Sequence, residues 1–594
     1  MPKVDAFPRE AVRLLDGPVK DRQSLAARYL LELDVDRLLH NFRCNAALPS
    51  SAKPLGGWES PSCGLRGHFT GHYLSACARM FAATGDDQFK ARIDTLVVEL
   101  ERCQAALGDG YLAAFPQSAF DTLEREFGGG GIWAPYYTIH KILAGLLDAH
   151  RYGRNDKAIE VATRLGNWVA SRVARVSSEA LDPMLCTSSL NPLNEYGGIG
   201  EALYDLHSIT SKPAFLNTAR IFDRDWFLSP LMSRQDELAG LHANTHIPQV
   251  LAAARRYEFT SDHRYRQAVE YFWEQTALAR SYVNGGSSGP RPDRKERSDG
   301  GEHWPNAHQL AKTLTPKINE SCVVHNMLRL TDVLFRWSQK SEYANFRERA
   351  WLNSVLCMQH PQHCGSYIYS HPMAAGSRKV FGDFDNTFWC CYGTTIEAFA
   401  GLADGIYFCD EQTLWINQFV ASEVTWARKD VRLTQRTNFP QEQQTSLSVH
   451  CTAPAEFTMK LRVPTWVVGA RCTLNGQEMA SGADGSGYIT ITRNWRNGDT
   501  IELTLPMTLR TEAMPDETSV IAFLFGPIVL AAQTPHGLEL ASGAPDAPQL
   551  VRAADSAWPS LQIRLGCGAD VPLVPLSEIV DQAFGIYFKT VPWP

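Results

Sequence analysis

No stretch of the 594-residue chain approaches 18 consecutive apolar residues, so nothing in it reads as a membrane-spanning helix. A strong charge excess is missing too. The net charge of −7 gives no reason to expect nucleic acid or an anionic membrane as partner. The opening residues, "MPKVDAFPREAVRLLDGPVK", lack the basic-then-apolar pattern of a secretory leader. A cytoplasmic protein is expected, or a periplasmic or secreted one whose leader has been removed. The 14 cysteines show no regular spacing, which excludes a small disulfide scaffold. Those scattered singly, such as Cys44, Cys77, Cys103, Cys186 and Cys472, read as buried free thiols in a reducing compartment; Cys322, Cys390 and Cys391 stand apart. What remains is ordinary globular composition, 44% hydrophobic and 20% charged, in a chain long enough for two to four domains. Its 15 tryptophans suit sugar sites and large cores alike.

Through the first two-thirds one unit recurs: an amphipathic helical stripe, a short polar turn, and a second helical stretch. The turns fall at Thr84-Gly85-Asp86, Gly153 to Asp156, Thr210-Ser211-Lys212, Thr260-Ser261-Asp262 and Ser338 to Lys340, rich in residues that stop one helix and cap the next. Repeated antiparallel pairs leave an open solenoid or a closed toroid. The units differ in length and are divided by long Gly- and Pro-rich loops, which favours a closed (α/α) barrel with function-bearing loops at one mouth. After about Asp410 the texture becomes short, alternating and β-branched, with turn signals at Asn475-Gly476 and Asn497-Gly498-Asp499. The expected organisation is multidomain α+β: a barrel over 1–410, a β-sandwich over 411–510, and over 511–594 a second β-rich segment or a continuation of the sandwich.

Four segments combine acids, histidines and thiols. "NESCVVHNML" places Glu320 and Cys322 two apart at the entry to a helix, and "TFWCCYGTTIE" places Cys390 and Cys391 side by side. Three thiolates and one carboxylate suit tetrahedral Zn²⁺. The bland alternative is that Cys322 packs in a helix seam, Glu320 caps it, and the doublet is core. "GGEHWPN" holds Glu302, which reads as a general acid whose pKa an apolar neighbour would raise, against the alternative of a solvated loop glutamate. Histidines near predicted helix starts, His72, His140, His242 and His246, would converge on one mouth of a barrel and suit sugar hydroxyls; a lone helix histidine is more often structural.

At these residues the chain resembles the β-L-arabinofuranosidase-like glycoside hydrolases, families 127 and 146, over nearly its whole length. "VRLLDGPVKDRQSLAARYLLELDVDRLLHNFR", "LRGHFTGHYLSA" and "YYTIHKILAGLLDAH" look like the family's opening and barrel motifs. "GGEHW", "NESCVVHNMLRLTDVLF" and "FWCCYGTTIE" are similar to its catalytic segments, and the three together in this order are specific. The resemblance implies an (α/α)₆ barrel followed by C-terminal β-sandwich domains. It implies Zn²⁺ held by Glu320, Cys322, Cys390 and Cys391, with Cys390 as nucleophile and Glu302 as acid/base. Tyr369 looks like a tyrosine lining the subsite, His140 like a sugar-contacting histidine, and His242 or His246 like another. Where members of the 146 branch often carry Glu-His-Gly-Gly, this chain has Glu195-Tyr196-Gly197-Gly198, which puts Tyr196 at a sugar-contacting position. After the doublet, "YGTTIE", with Thr395, replaces the commoner Thr-Gly-Thr-Gly form.

The expected activity is retaining exo-hydrolysis of a β-L-arabinofuranosyl or similar sugar, with a plant-type oligosaccharide or glycan as partner and a homodimer as the assembly considered. A non-catalytic carbohydrate-binding protein with a structural zinc, and a sugar lyase or epimerase on the same barrel, are the rival classes. A closed, buried metal site would favour the first rival, and a Tyr or His base without the thiolate set the second.

Overall fold

The structure is a computed structural model that describes residues 4–127, 132–190, 193–292, 301–479, 483–542, 549–552, 561–564 and 570–592. Six helices, His68–Thr84, Pro135–Arg151, Ile199–Thr210, Ala243–Thr260, Ser321–Ser338 and Cys390–Ala400, form an inner ring. Each packs on the next, and Cys390–Ala400 packs back on His68–Thr84, so the ring closes. An outer layer pairs with it: Asp87–Leu107, Asp156–Val173, Pro213–Ile221, His263–Trp273 and Ser341–Asn353 each follow their inner partner. The sixth outer helix, Pro18–Glu32, comes from the start of the chain and packs on Cys390–Ala400 at its far end.

The polar turns do what their residues dictate. Four inner helices end on a left-handed residue, Gly85 (φ 75°), Ser211 (φ 56°), Ser261 (φ 56°) and Gln339 (φ 52°). Asp86, Asn155 and Asp262 then cap outer helices by accepting from Gln88 N, Ala158 N and Arg264 N. The first two inner helices touch backbone to backbone: a Cβ on Gly145 would lie 2.5 Å from Gly71 O. Only glycine at that crossing lets the two axes approach so closely.

Among the described residues the β region holds three sheets. Two, of five and seven strands, form the middle unit, and a nine-stranded sheet forms the C-terminal one. The N-terminal boundary differs from the expected 1–410 barrel. Asp5–Ala6 pairs with Tyr407–Cys409, and Val12–Leu14 pairs with Ser422–Trp426, so the first residues complete both sheets of the middle unit. Strands of two and three residues carry no alternation for a sequence reading to detect. One continuous apolar core runs from barrel residues such as Leu203 and Val324 into Leu447 and Ile501 of the middle unit. A buried ion pair, Arg462 with Glu348, joins the same two units, and Trp466 Nε1 donates to Glu348 Oε2 at 2.8 Å. No helix among the described residues is long and apolar enough to cross a membrane.

Candidate active site

The inner helices present their N-terminal ends to one mouth, and each brings side chains to a cavity of about 260 Å³ there. Trp58 and Leu65 precede the first helix, and Tyr137 lies in the first turn of the second. Glu195 precedes the third, His242 and Asn244 open the fourth, Glu320 caps the fifth, and Cys390 begins the sixth. Trp133, Leu190, Arg291, Tyr369, Glu302 and His303 complete the walls.

At the floor, Glu320, Cys322, Cys390 and Cys391 are all buried, and their donor atoms lie within 4.8 Å of one another. The sulfur separations are 3.3 Å (Cys322–Cys391), 3.7 Å (Cys322–Cys390) and 3.9 Å (Cys390–Cys391). Glu320 Oε1 stands 3.6 Å from Cys390 Sγ and 3.5 Å from Cys391 Sγ. A tetrahedral zinc with Zn–S bonds of about 2.3 Å spaces its sulfurs by about 3.8 Å, so the four donors fit such an ion. Glu320 Oε2 is buried without a hydrogen-bond partner, a second sign that the set awaits a cation. Left to themselves, three of the four donors hold protons. Burial pushes the Glu320 carboxyl and the Cys391 thiol well up. A hydrogen bond with Cys322, with burial adding, does the same for Cys390. For Cys322 burial acts upward, but its hydrogen bonds with Cys390 and Cys391 win and bring it to about 7. Both thiol segments start helices, whose N-terminal ends favour negative charge.

The cluster opens to the cavity through one thiol: Cys390 lines it, whereas Cys322 and Cys391 do not. Glu302 lines the same cavity, and its carboxylate is held at both oxygens. Tyr369 Oη donates to Oε1 at 2.6 Å, and His242 Nε2 lies 3.2 Å from Oε2. Here the structure corrects the expected electrostatics. Burial pushes the Glu302 pKa up, but the hydrogen bond and charge of His242 and the Tyr369 hydroxyl outweigh it, and the net shift is downward. The apolar neighbour invoked from the sequence, Trp304, is fully buried against His246 and Phe272.

The structure therefore brings Cys390, Glu302, Glu320, Tyr369 and His242 to the cavity. Four expected sugar-contacting residues do not line it. His246, one turn beyond His242, is fully buried among Trp226, Phe227 and Trp304, and its nitrogens bond His242 O at 2.7 Å and Thr187 Oγ1 at 2.9 Å. Tyr196 is buried with its hydroxyl on Phe222 O. His72 lies inside the barrel, bonded to Glu397 Oε1 at 2.5 Å. His140 is buried behind Tyr137 and accepts from Gly198 N at 3.1 Å. Helix starts attract histidine for capping and for buried pairing as well as for ligands, so position alone did not separate them. Glu195, Trp58, Trp133, Tyr137 and Asn244 were not singled out from the sequence as cavity residues. Tyr137, one turn from His140 in a recognised motif, and Glu195, which opens the Glu-Tyr-Gly-Gly segment, carried the usable signals.

Two family models match this chain: the β-L-arabinofuranosidase GH127 catalytic domain over residues 11–404, and the GH127 middle domain over 413–507. The chain belongs to the GH127 β-L-arabinofuranosidase family. It is a glycoside hydrolase of that family, with the helical catalytic domain first and β-sheet domains after it. A GH127 β-L-arabinofuranosidase from Geobacillus stearothermophilus T6 superposes with a TM-score of 0.73 at 16% identity, covering 98% of this chain and 100% of that one. A second GH127 β-arabinofuranosidase gives 0.74 at 16% identity, over 100% of this chain and 99% of that one. A structure described as a glycoside hydrolase gives 0.74 at 15%, over 99% and 98%. At these identities the likeness is one of fold. No curated protein sequence matches the chain.

Proposed function

We propose that this GH127 hydrolase is a retaining, exo-acting enzyme that releases a terminal β-L-arabinofuranosyl residue, or a sugar of similar shape, from a plant-type oligosaccharide or glycan. The observation that carries the reading is that Cys390 alone of the three clustered thiols lines the cavity, and shares it with Glu302. The β-arabinofuranosidase activity of the structural relatives supports the sugar, and a cavity below the usual 300 Å³ or so of ligand pockets supports removal of single terminal residues.

Glu320, Cys322, Cys390 and Cys391 would hold Zn²⁺, which when bound keeps the Cys390 sulfur deprotonated at neutral pH. Cys390 Sγ attacks the anomeric carbon as the glycosidic C–O bond breaks, and Glu302 delivers a proton to the departing oxygen. The sugar is then joined to sulfur. Glu302 next takes a proton from water, whose oxygen displaces the thiolate from the opposite face, so the configuration is retained. Tyr369 and His242 fix the Glu302 carboxylate through its two oxygens. Trp58, Trp133 and Tyr137 wall the sugar from water. A purely structural metal would be closed off on every side, whereas this cluster is open at Cys390.

The test is hydrolysis of p-nitrophenyl β-L-arabinofuranoside, with the released anomer followed by NMR. Cys390→Ser is expected to lose on the order of 10⁴-fold or more in kcat, as removal of a covalent nucleophile does. Near-normal turnover by that variant, or an inverted product, ends the reading.

A further inference from the structure

One buried amide in the cavity wall has half of its hydrogen-bonding capacity unused. Asn244, in the first turn of Ala243–Thr260, lines the cavity and is 6% exposed. Its Oδ1 accepts from Asn326 Nδ2 at 2.9 Å. Its own Nδ2 has no hydrogen-bond partner among the described residues. Other polar groups of the wall are committed to one another. The His242 ring nitrogens face Glu302 Oε2 and Thr245 N, and the Tyr369 hydroxyl donates to Glu302 Oε1. The Asn244 amide is left for whatever enters.

An amide turned end for end has the same shape, so its polarity must come from its partners. Here the partners fix it. Arg329 Nη2 donates to Glu201 Oε1 at 2.5 Å, and Nη1 donates to Asn326 Oδ1 at 3.3 Å. A guanidinium has no acceptor, so the Asn326 atom facing it must be the oxygen. The Asn326 nitrogen therefore faces Asn244, and the Asn244 atom that meets it must again be the oxygen. What remains for the cavity is Nδ2, a donor only. Burial pushes the Glu201 carboxyl up and the charge of Arg329 works against it; Oε1 accepts in either form, so the accounting is unchanged. Three neighbouring inner helices hold the chain of contacts. Glu201 lies in the first turn of Ile199–Thr210, Asn244 opens Ala243–Thr260, and Asn326 and Arg329 stand one turn apart on Ser321–Ser338.

We infer that Asn244 contacts the substrate, its Nδ2 donating to a hydroxyl oxygen of the bound sugar, and that Asn326 and Arg329 are positioning residues that set this polarity from behind. The inference rests on reading the cavity as a sugar site. A donor held in this way cannot turn to accept. A sugar that lacks the matching hydroxyl leaves a buried N–H unpaired and is rejected for that reason.

The test uses p-nitrophenyl β-L-arabinofuranoside and its 2-, 3- and 5-deoxy analogues. With the unaltered enzyme, one analogue is expected to lose roughly 5- to 100-fold in kcat/KM, the range for leaving a buried donor unpaired. Asn244→Ala should lose a similar factor on the parent sugar and little more on that analogue, so the two deletions are not additive. Asn326→Asp repeats the test from outside the cavity, and carries it alone if Asn244→Ala does not fold. Its carboxylate still accepts from Arg329 but offers Asn244 a second oxygen. The Asn244 amide then turns over and presents its own oxygen to the sugar. The parent substrate should weaken, and the penalty on the same analogue should vanish, although Asn244 is intact. A residue that only ties helices together would lower all four substrates alike. Additive losses, or a wild-type enzyme that treats the three analogues as the parent, overturn the inference. If the unaltered enzyme does not hydrolyse the parent glycoside, the functional reading fails and this inference goes with it; hydrolysis with additive losses ends this inference alone.

Discussion

Tyr369 places its hydroxyl 2.6 Å from Glu302 Oε1, and it does so from the strand-like segment whose backbone also receives Ser321 N at the start of the helix that carries Cys322. One residue thus touches the proposed acid/base through its side chain and braces the thiol segment through its main chain. Tyr369→Phe removes only the first contact.

That substitution gives a signed prediction. The Tyr369 hydrogen bond holds the Glu302 pKa down, so its loss raises it. Glycosyl transfer to Cys390 needs Glu302 protonated, and kcat/KM falls as pH rises through the Glu302 pKa. Tyr369→Phe is therefore expected to move the alkaline limb of the kcat/KM profile to higher pH. A profile that stays put or moves down would contradict the assignment of that limb.

Metal analysis should find one zinc per chain in the active protein. Cys322→Ser and Cys391→Ser each take away a soft donor from a set whose sulfurs are 3.3–3.9 Å apart, and should lower bound zinc along with activity. Stripping by a chelator should be slow, because all four donors are buried, and readdition of zinc should restore activity.

The joint between barrel and middle unit depends on a pair of fully enclosed charges. Glu348→Ala strands the Arg462 guanidinium, which also donates to Asn417 O and Asn345 Oδ1 at 2.6 and 2.8 Å. A loss of about 3–5 kcal/mol is expected, the usual cost of leaving a buried charge unpaired, read as a drop in denaturation midpoint. A shift under about 1 kcal/mol would show that the interface relaxes or admits water.

Acid should destabilise the protein early. Burial holds His246 and His371 neutral, with pKa values lowered to about 3. A folded pKa below the unfolded value of about 6.5 gives stability that is complete above pH 6.5 and lost as pH falls toward 3. Each histidine then removes about 1.4 kcal/mol per pH unit through that window. His371→Gln should flatten the stability–pH slope between pH 6 and 4 by about one proton, measured by urea unfolding at fixed salt.

The five consecutive helical hairpins were legible because their information is local: a 3.6-residue stripe, then a turn whose residues tolerate left-handed backbone, as at Gly85 and Ser261. The sixth was not, since Pro18–Glu32 finds Cys390–Ala400 across more than half the chain and no spacing encodes that. The cluster of Glu320, Cys322, Cys390 and Cys391 was legible for the opposite reason: its members sit one or two residues apart at two helix starts, so few long-range choices were needed. Glu195 and Tyr196 show the limit. They are neighbours, yet one lines the cavity and the other turns its hydroxyl to Phe222 O. Which of two adjacent side chains faces a cavity is settled by the path of the entering loop, and here Gly197 and Gly198 fold that loop against the His140 ring.

Because the ring of helices is shut by its first and last members, a ribosome must make about 400 residues before the catalytic unit can exist at all. Until then Pro18–Glu32 waits without its partner, and the thiol doublet that opens the closing helix has not been synthesised. Closure of the barrel and the gathering of Glu320, Cys322, Cys390 and Cys391 into one cluster are a single event, placed late in synthesis.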